Sequence, residues 1–373
     1  MHTQAMSRGL LLLITLVQTI IAIGHILVYL TATFAFLVPR EHQWFWMGVT
    51  ALLSVWFVVI TVVSMRGYSR ITSWCYIAAA LWMGTLSLLV WASVLFWLIW
   101  NAALFVDVTL DARLVYGLLA ASALMASAYG AIHALKTRIV RFQITLPNTP
   151  APWRGRTIAL VSDMHLGMVF GARALKRLAS LLNREKPDLV CIAGDLFDGT
   201  PFAAEAIAKG LTELHAPLGV FFAEGNHEEF RDPSIYRNLM AQAGIRHLMN
   251  EWVAIEGVAL AGVTYQDTRN EHATEHTLSQ MNLPPHMPLI LMKHVPNHRS
   301  VVAHAGVSLM LSGHTHHGQM IPYRYFAQRM FADATVGLWR TGAMVGVTSS
   351  GFGTWGPPQR IGTSSQLVLI TLN

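Results

Sequence analysis

The stretch Val307 to Gln319 reads VSLMLSGHTHHGQ. An apolar run carrying Val307, Leu309 and Leu311 at alternate positions has the pattern of a strand in a buried sheet. A strand of that kind needs only an ordinary turn at its end. This one runs instead into His314, His316 and His317, beside Gly313. On an extended backbone residues i and i+2 share a face, so His314 and His316 are expected to face one site together. Neutral imidazole is the commonest protein ligand for metals. A metal centre at a strand end is therefore the expectation to carry along the chain.

Other apolar runs from Thr157 onward end the same way. TIALVSD closes on Asp163 with His165 after it, and DLVCIAGD closes on Asp195 with Asp198 after it. GVFFAEGNHE ends on Asn226 and His227, and PLILMKHV ends on His294. Amphipathic helical patterns separate the early runs: Leu175, Leu178, Leu181 and Leu182 recur at helical spacing within Ala172 to Glu185. VALAGVTY, AMVGVTSS and QLVLITL complete a strand-rich second part. The pattern predicts two packed sheets covered by helices, an α/β/β/α arrangement. In α/β sheets ligands bind beyond the carboxyl ends of strands. One Asp at such a place is usually a helix cap, but five strand ends bearing oxygen or nitrogen ligands make a metal site.

Composition divides the chain. Its 373 residues are 53% hydrophobic and only 12% charged, about half the usual charged share. Up to Leu135 the only Asp, Glu, Lys or Arg are Arg8, Arg40, Glu41, Arg66, Arg70, Asp107, Asp111 and Arg113. Four apolar segments fill that part: Leu10 to Val38, Trp44 to Met65, Trp74 to Trp100 and Leu114 to Leu135. Each reaches the roughly 20 residues that span a bilayer as helix. Gln18 and His25 inside the first are expected to hydrogen-bond within the bundle. The expected division is a transmembrane region over 1–147, a stiff proline-containing linker over 148–156 and a folded domain over 157–373.

Basic residues flank the spans unevenly. Arg8, Arg66, Arg70, Lys136, Arg138 and Arg141 lie on one side by the alternation of spans, which predicts a multi-pass inner or plasma membrane protein with a cytoplasmic catalytic domain. Cys75 and Cys191 offer no disulfide framework. The net charge of +6 suits a domain near anionic headgroups. No dense basic run with interleaved aromatics appears beyond the linker, so nucleic acid is not an expected partner.

The ordered series DxH (Asp163, His165), GDxxD (Gly194, Asp195, Asp198), GNHE (Gly225 to Glu228), a strand-end His294 and GHTH (Gly313 to His316) resembles the calcineurin-like metallophosphoesterases. The likeness runs from about Thr157 to the C-terminus. The closing GFGTWGPPQRIG, Gly351 to Gly362, is similar to the bacterial membrane-attached branch of that family. His317 departs from that branch, which usually reads GHTHGGQ; the departure bears on substrate fit and leaves the ligand pair intact.

The resemblance implies a set of roles. Asp163, His165 and His316 would hold one divalent ion; Asn226, His294 and His314 would hold another; Asp195 would bridge them. A carboxylate's two oxygens can span cations roughly 3.5–4 Å apart, and hydroxide held between such ions is a nucleophile near neutral pH. The mixed nitrogen and oxygen donors suit Mn, Fe or Zn without choosing among them. His227, oriented by Asp198, would reach the phosphoryl oxygen or protonate the leaving group. His215, His247, His272, His276, His286, His298 and His304 are assigned no role.

The expected function is hydrolysis of a phosphoester or pyrophosphate bond, with membrane lipids as partners and a phosphorylated small molecule or lipid as substrate. Aromatics mixed with arginine in IPYRYFAQRMFADATVGLW favour a lipid-linked substrate such as UDP-diacylglucosamine, which some similar enzymes handle. The alternatives are a nuclease or nucleotide phosphodiesterase of the same fold, and a metal-binding regulatory domain on a transporter or sensor.

Overall fold

A computed structural model describes residues 8–373; Met1 to Ser7, assigned above to the transmembrane region, lie outside the described residues. The chain forms two compact units, one running to Ile132 and including Pro357–Gln359, the other comprising His133–Gly356 and Arg360–Asn373.

The first unit consists of helices α1 (Arg8–Ala35), α2 (Arg40–Ser64), α3 (Arg70–Phe105) and α4 (Ala112–Ala134). All four contain stretches long and apolar enough to cross a membrane. A capping box starts α3: the Ser69 hydroxyl accepts from the Thr72 N–H, and the Thr72 hydroxyl accepts from the Ser69 N–H. The two polar residues singled out in α1 are satisfied inside the bundle. Gln18 donates to the Ser54 carbonyl at 3.0 Å. His25 Nδ1 donates to the Ile21 carbonyl at 2.8 Å, and Trp82 Nε1 donates to His25 Nε2 at 2.9 Å.

The second unit alternates strand and helix. It runs β1 (Thr137–Ile144), β2 (Thr157–Val161), α5 (Ala172–Glu185), β3 (Leu189–Ala193), α6 (Ala204–Thr212), β4 (Val220–Ala223) and α7 (Pro233–Gln242). Then follow β5 (Arg246–His247), β6 (Glu251–Ile255), β7 (Val258–Gly262), α8 (Glu271–Gln280), β8 (Leu289–Met292), α9 (Arg299–His304) and β9 (Leu309–Ser312). The chain closes with α10 (Tyr323–Phe331), β10 (Gly337–Thr341), β11 (Met344–Thr348) and β12 (Ser365–Leu372).

Two six-stranded sheets result, ordered β1-β12-β2-β3-β4-β5 and β10-β11-β9-β8-β7-β6. Their inner faces share one core, in which Leu160, Cys191 and Ile370 of the first sheet pack with Leu260, Ile290 and Leu311 of the second. Helices α5, α6 and α7 cover the outer face of the first sheet, burying Leu175, Leu178, Ile207 and Leu239. Leu278 of α8 and Val302 of α9 pack on the outer face of the second. The expected α/β/β/α architecture is present. Burial on both faces explains why β3 reads LVCIA without alternation: every residue of it is buried.

The expected domain boundary is corrected. β1 pairs in parallel with β12 over its whole length, Thr137 opposite Ser365 through Ile144 opposite Leu372. The sheet therefore begins before residue 157, and the basic residues Arg138 and Arg141 that marked a membrane flank are strand residues. The expected linker over 148–156 is also part of the fold. Trp153 within it is fully buried and donates its indole N–H to the Ile255 carbonyl at 2.9 Å. A single buried tryptophan anchors a segment that two prolines made look like a spacer.

Candidate metal centre

Five parallel-sheet strand ends bring the predicted ligands together. Asp163 follows β2, Asp195 follows β3, Asn226 follows β4, His294 follows β8 and His314 follows β9. The turns that carry them are tight. Asp163, His165, Asp195, His314 and His316 all have positive φ, between 46° and 70°. Left-handed backbone costs a non-glycine residue roughly 1–2 kcal/mol, and such strain collects at functional sites. This also corrects the reading of GHTH. The backbone beyond Ser312 is not extended, so His314 and His316 do not share a face as strand neighbours would. Left-handed turns send them into different groups.

Those groups are Asp163, His165 and His316 on one side, and Asp195, His294 and His314 on the other; within each, ligand atoms lie within 4.8 Å of one another. A third combination, His165, Asp195 and His227, meets the same limit, so Asp195 stands between the sets. Its Oδ2 is 3.0 Å from His294 Nε2 and 3.9 Å from His165 Nε2. Asp163 Oδ1 is 3.4 Å from His316 Nε2 and accepts from the His314 N–H at 3.0 Å. Glycine is required where these turns meet: a Cβ on Gly313 would lie 2.2 Å from Asp163 Oδ2, and one on Gly225 would lie 2.2 Å from Asp195 Oδ1.

The donor set fits divalent cations on grounds internal to the site. His294 donates Nδ1–H to the Ala193 carbonyl at 2.8 Å, which leaves the lone pair of the neutral ring at Nε2, facing the Asp195 carboxylate. That approach needs a cation or a proton between the two atoms. His165 Nε2 and His316 Nε2 confront each other at 3.0 Å. His294 Nε2 and Asn226 Oδ1 are buried without a hydrogen-bond partner, a costly arrangement that coordination would satisfy. The Nδ1–H to backbone carbonyl bond of His294 is also the common support of a metal-ligating histidine.

The protonation of three of the rings agrees with ligation. Burial pushes His165 down to about 3 and His314 down to about 4, and it holds His316 well below its ordinary value. These rings are neutral at physiological pH, as ligation requires. Burial raises Asp163 to about 6, with His294 opposing. Burial alone would raise Asp195 too, but His294 and His165 beside it hold it far below the usual range. Burial would lower His294, yet the facing Asp195 lifts it to about 9.

His227 and Asp198 are arranged differently from the sequence reading. His227 Nδ1 lies 3.1 Å from the Asp198 backbone carbonyl, not from its carboxylate. Oδ1 of the carboxylate accepts from the Thr200 N–H at 2.7 Å and from its hydroxyl at 2.6 Å. Asp198 thus orients His227 through its main chain. His227 Nε2 then points into the site, 4.0 Å from Asp195 Oδ2.

Three buried ionisable side chains that the sequence left without roles hold the turns. Glu228 Oε2 accepts from the N–H groups of Asp195 at 3.0 Å and Gly225 at 2.7 Å, and Oε1 accepts from Phe197 at 3.0 Å. It ties the Asp195 turn to the Asn226 turn. Arg360 is fully buried and donates to the carbonyls of Ser350 at 2.6 Å, Gly353 at 2.7 Å and His316 at 3.2 Å. Lys293, also buried, donates to the Val295 carbonyl at 3.0 Å and to Asn297 Oδ1. The available signal was their position: Glu228 and Arg360 lie within quoted motifs, and Lys293 precedes a ligand at the end of an apolar strand.

Comparison with known proteins agrees with this geometry. The profile of the calcineurin-like phosphoesterase family matches residues 156–318. A zebrafish transmembrane protein with metallophosphoesterase domain is 31% identical over 65% of this chain, and the match spans 59% of that relative's length. An uncharacterized metallophosphoesterase of Aquifex aeolicus is 30% identical over 67% of this chain and 97% of its own. Among solved structures, a 5'-nucleotidase precursor from Thermus thermophilus is similar over 58% of this chain and 54% of its own, at 14% identity and a TM-score of 0.35, too distant to bear on function. With a relative of 30% identity matched along nearly its whole length, the chain belongs to the calcineurin-like phosphoesterases, metal-dependent hydrolases of phosphate esters.

Proposed function

We propose that the chain is a multi-pass membrane phosphoesterase that cleaves a phosphoester or pyrophosphate bond in a lipid-linked substrate, with its catalytic unit in the cytoplasm. The observation that carries the substrate class is the aromatic rim at His227. Phe230 stacks edge-on against His227 with ring centroids 4.6 Å apart, and Trp355 does so at 5.8 Å. Both are about 60% exposed. Large apolar side chains left in water beside a polar centre suit a substrate with an apolar portion. The mutual bonds between Gln319 and the Trp355 backbone, 2.9 and 3.0 Å, keep that side of the rim in place.

Two divalent cations bound by Asp163, His165, Asp195, Asn226, His294, His314 and His316 would supply Lewis acidity and an activated water. The remaining work falls to protein groups. His227 donates Nδ1–H to Asp198 O, so Nε2 exchanges a proton with the substrate: as imidazolium it stabilises a phosphoryl oxygen or protonates the departing oxygen. Glu228 and Arg360 keep the ligand turns from relaxing. A nucleotide-linked lipid such as UDP-diacylglucosamine combines the pyrophosphate and apolar features that this site would select.

The test uses purified full-length protein loaded with Mn, Fe or Zn. Metal-dependent turnover is expected on a soluble aryl phosphodiester, with higher kcat/KM on a lipid-linked pyrophosphate. Equal kcat/KM with and without lipid chains would remove the lipid assignment; no metal-dependent turnover on any phosphoester would remove the enzyme. Topology reporters after Asn373 and between Arg66 and Arg70 should both report cytoplasm, as the flanking positive charges require. A periplasmic signal from the Asn373 fusion would reverse the orientation.

A further inference from the structure

Helix α10 is turned the wrong way round for a soluble protein. None of its nine residues is buried. At roughly 100° per residue, Tyr325, Arg329, Phe326, Met330 and Tyr323 fall on one continuous arc, and all five are exposed. Phe326 is 60% and Met330 75% exposed. Arg324, Ala327, Gln328 and Phe331 occupy the opposite, half-buried arc. The more polar side thus faces the protein while most of the aromatic and thioether surface faces outward.

The anchoring of the two arginines differs in the same sense. Arg324 on the inner arc donates to the Gly362 carbonyl at 3.3 Å and lies over the Tyr325 ring. Arg329 on the outer arc makes no hydrogen bond or ion pair among the described residues. The segment Ile321 to Phe331 contains no acidic residue. An unpaired cation flanked by tyrosine, phenylalanine and methionine matches the headgroup boundary of an anionic leaflet, where rings enter the acyl region and arginine meets phosphate. The same polypeptide carries four helices long and apolar enough to cross a bilayer.

We infer that the outer face of α10 seats in an anionic lipid surface. Its C-terminal end reaches the metal centre: Phe331 stacks edge-on with His314 at 5.9 Å. Between them opens a groove of about 480 Å³ lined by Met330, Phe331, His314, Tyr265 and Arg269. An α10 seated in lipid would place the mouth of that groove at the headgroup layer. This deepens the proposed lipid-linked function and rests on it for its purpose, but its test does not depend on turnover.

The experiment uses the full chain with Cys75→Ser, leaving Cys191 buried and unlabelled, in lipid nanodiscs. An environment-sensitive fluorophore is attached at Met330→Cys, with Glu275→Cys, an exposed position of α8, as reference. In discs containing phosphatidylglycerol, the 330 label should emit to the blue of the reference. It should also be quenched by headgroup-proximal nitroxide lipids and shielded from aqueous iodide. Arg329→Ala should lower the docked-to-undocked equilibrium about fivefold, the weight of one cation at an anionic surface, and so reduce the lipid quenching. Equal iodide quenching at 330 and 275 overturns the inference. Shielding that appears only with two protein copies per disc also overturns it, by assigning the face to a second copy. Parallel turnover of a soluble phosphodiester separates failure of the docking surface from failure of the enzyme.

Discussion

His227 Nδ1 donates to the backbone carbonyl of Asp198 at 3.1 Å, while the Asp198 carboxylate is bound by Thr200. The consequence is a separation of two residues that the sequence joined. His227→Ala should keep both metals and lose on the order of 10²–10⁴ in kcat. Asp198→Asn keeps the carbonyl that sets the His227 tautomer, and its amide oxygen can still accept from Thr200. A loss of less than about tenfold is expected. A loss equal to that of His227→Ala, with metal content intact, would restore the carboxylate to the catalytic pair.

Asp198 also predicts a pH dependence of stability. Burial raises it to about 7, against the bonds from Thr200, whereas an unfolded aspartate titrates near 3.9. Between those values the folded chain holds a proton that the unfolded chain has released. Stability contributed by this group is therefore full below about pH 4 and is lost as pH rises toward 7, with a slope of at most ~1.4 kcal/mol per pH unit. Thermal unfolding of metal-free protein across that range should show a shallower fall for Asp198→Asn than for the native chain. Identical slopes would mean that the buried carboxyl is ionised throughout.

Asp195 stands between the two ligand groups, 3.0 Å from His294 and 3.9 Å from His165. Asp195→Asn removes the charge that both sets of imidazoles face. Metal content measured by mass spectrometry should fall for both ions together, and hydrolysis should vanish with it. Retention of one full equivalent, with the other lost, would show two independent sites.

The catalytic architecture was legible because ligands and strand ends coincide in sequence. TIALVSD, DLVCIAGD and VSLMLSGH each announce a buried strand and the donor it presents, so the two sheets and the converging ligands could be read together. Three features could not be read that way. β1 pairs with the last strand of the chain, and TRIVRFQI looked like a basic membrane flank because its partner lies more than two hundred residues away. Pro150 and Pro152 disguised as a linker a segment that Trp153 anchors in the core. His227 takes the main-chain carbonyl of Asp198, while Thr200 takes Oδ1 of its carboxylate. Pattern shows periodicity and donor type; it does not show competition between neighbours for one acceptor.

Glu228 accepts three backbone N–H bonds from two ligand turns while fully buried. Glutamine in its place has one acceptor oxygen, and its amide would confront an N–H it cannot bond. Leaving buried donors unsatisfied costs about 1–3 kcal/mol each. Glu228→Gln should therefore destabilise the protein by roughly 2–4 kcal/mol and weaken metal retention without touching a ligand. Glu228→Ala, which frees space for water, serves as the second variant. Unchanged stability and metal content in both would mean that Glu228 does not hold the turns.

His317 stands where the resemblance predicts glycine, and its backbone conformation is one that glycine adopts freely. It sits at φ 52° and ψ 33°, between His316 at φ 46° and Gly318 at φ 70°. Glycine adopts that conformation without steric cost, whereas a side chain there costs roughly 1–2 kcal/mol. Part of the gain is offset by the greater freedom of glycine in the unfolded chain, about 0.4–1 kcal/mol. The His317 N–H bond to the Thr315 hydroxyl, 3.1 Å, is a backbone bond that glycine would keep. His317→Gly should therefore leave metal content unchanged and raise the unfolding midpoint modestly, by about 0.5–1 kcal/mol of stability. If kcat/KM falls while stability rises, the imidazole was retained for substrate. If stability falls, its half-buried ring packs well enough to outweigh the strain, and the backbone account of the glycine preference fails.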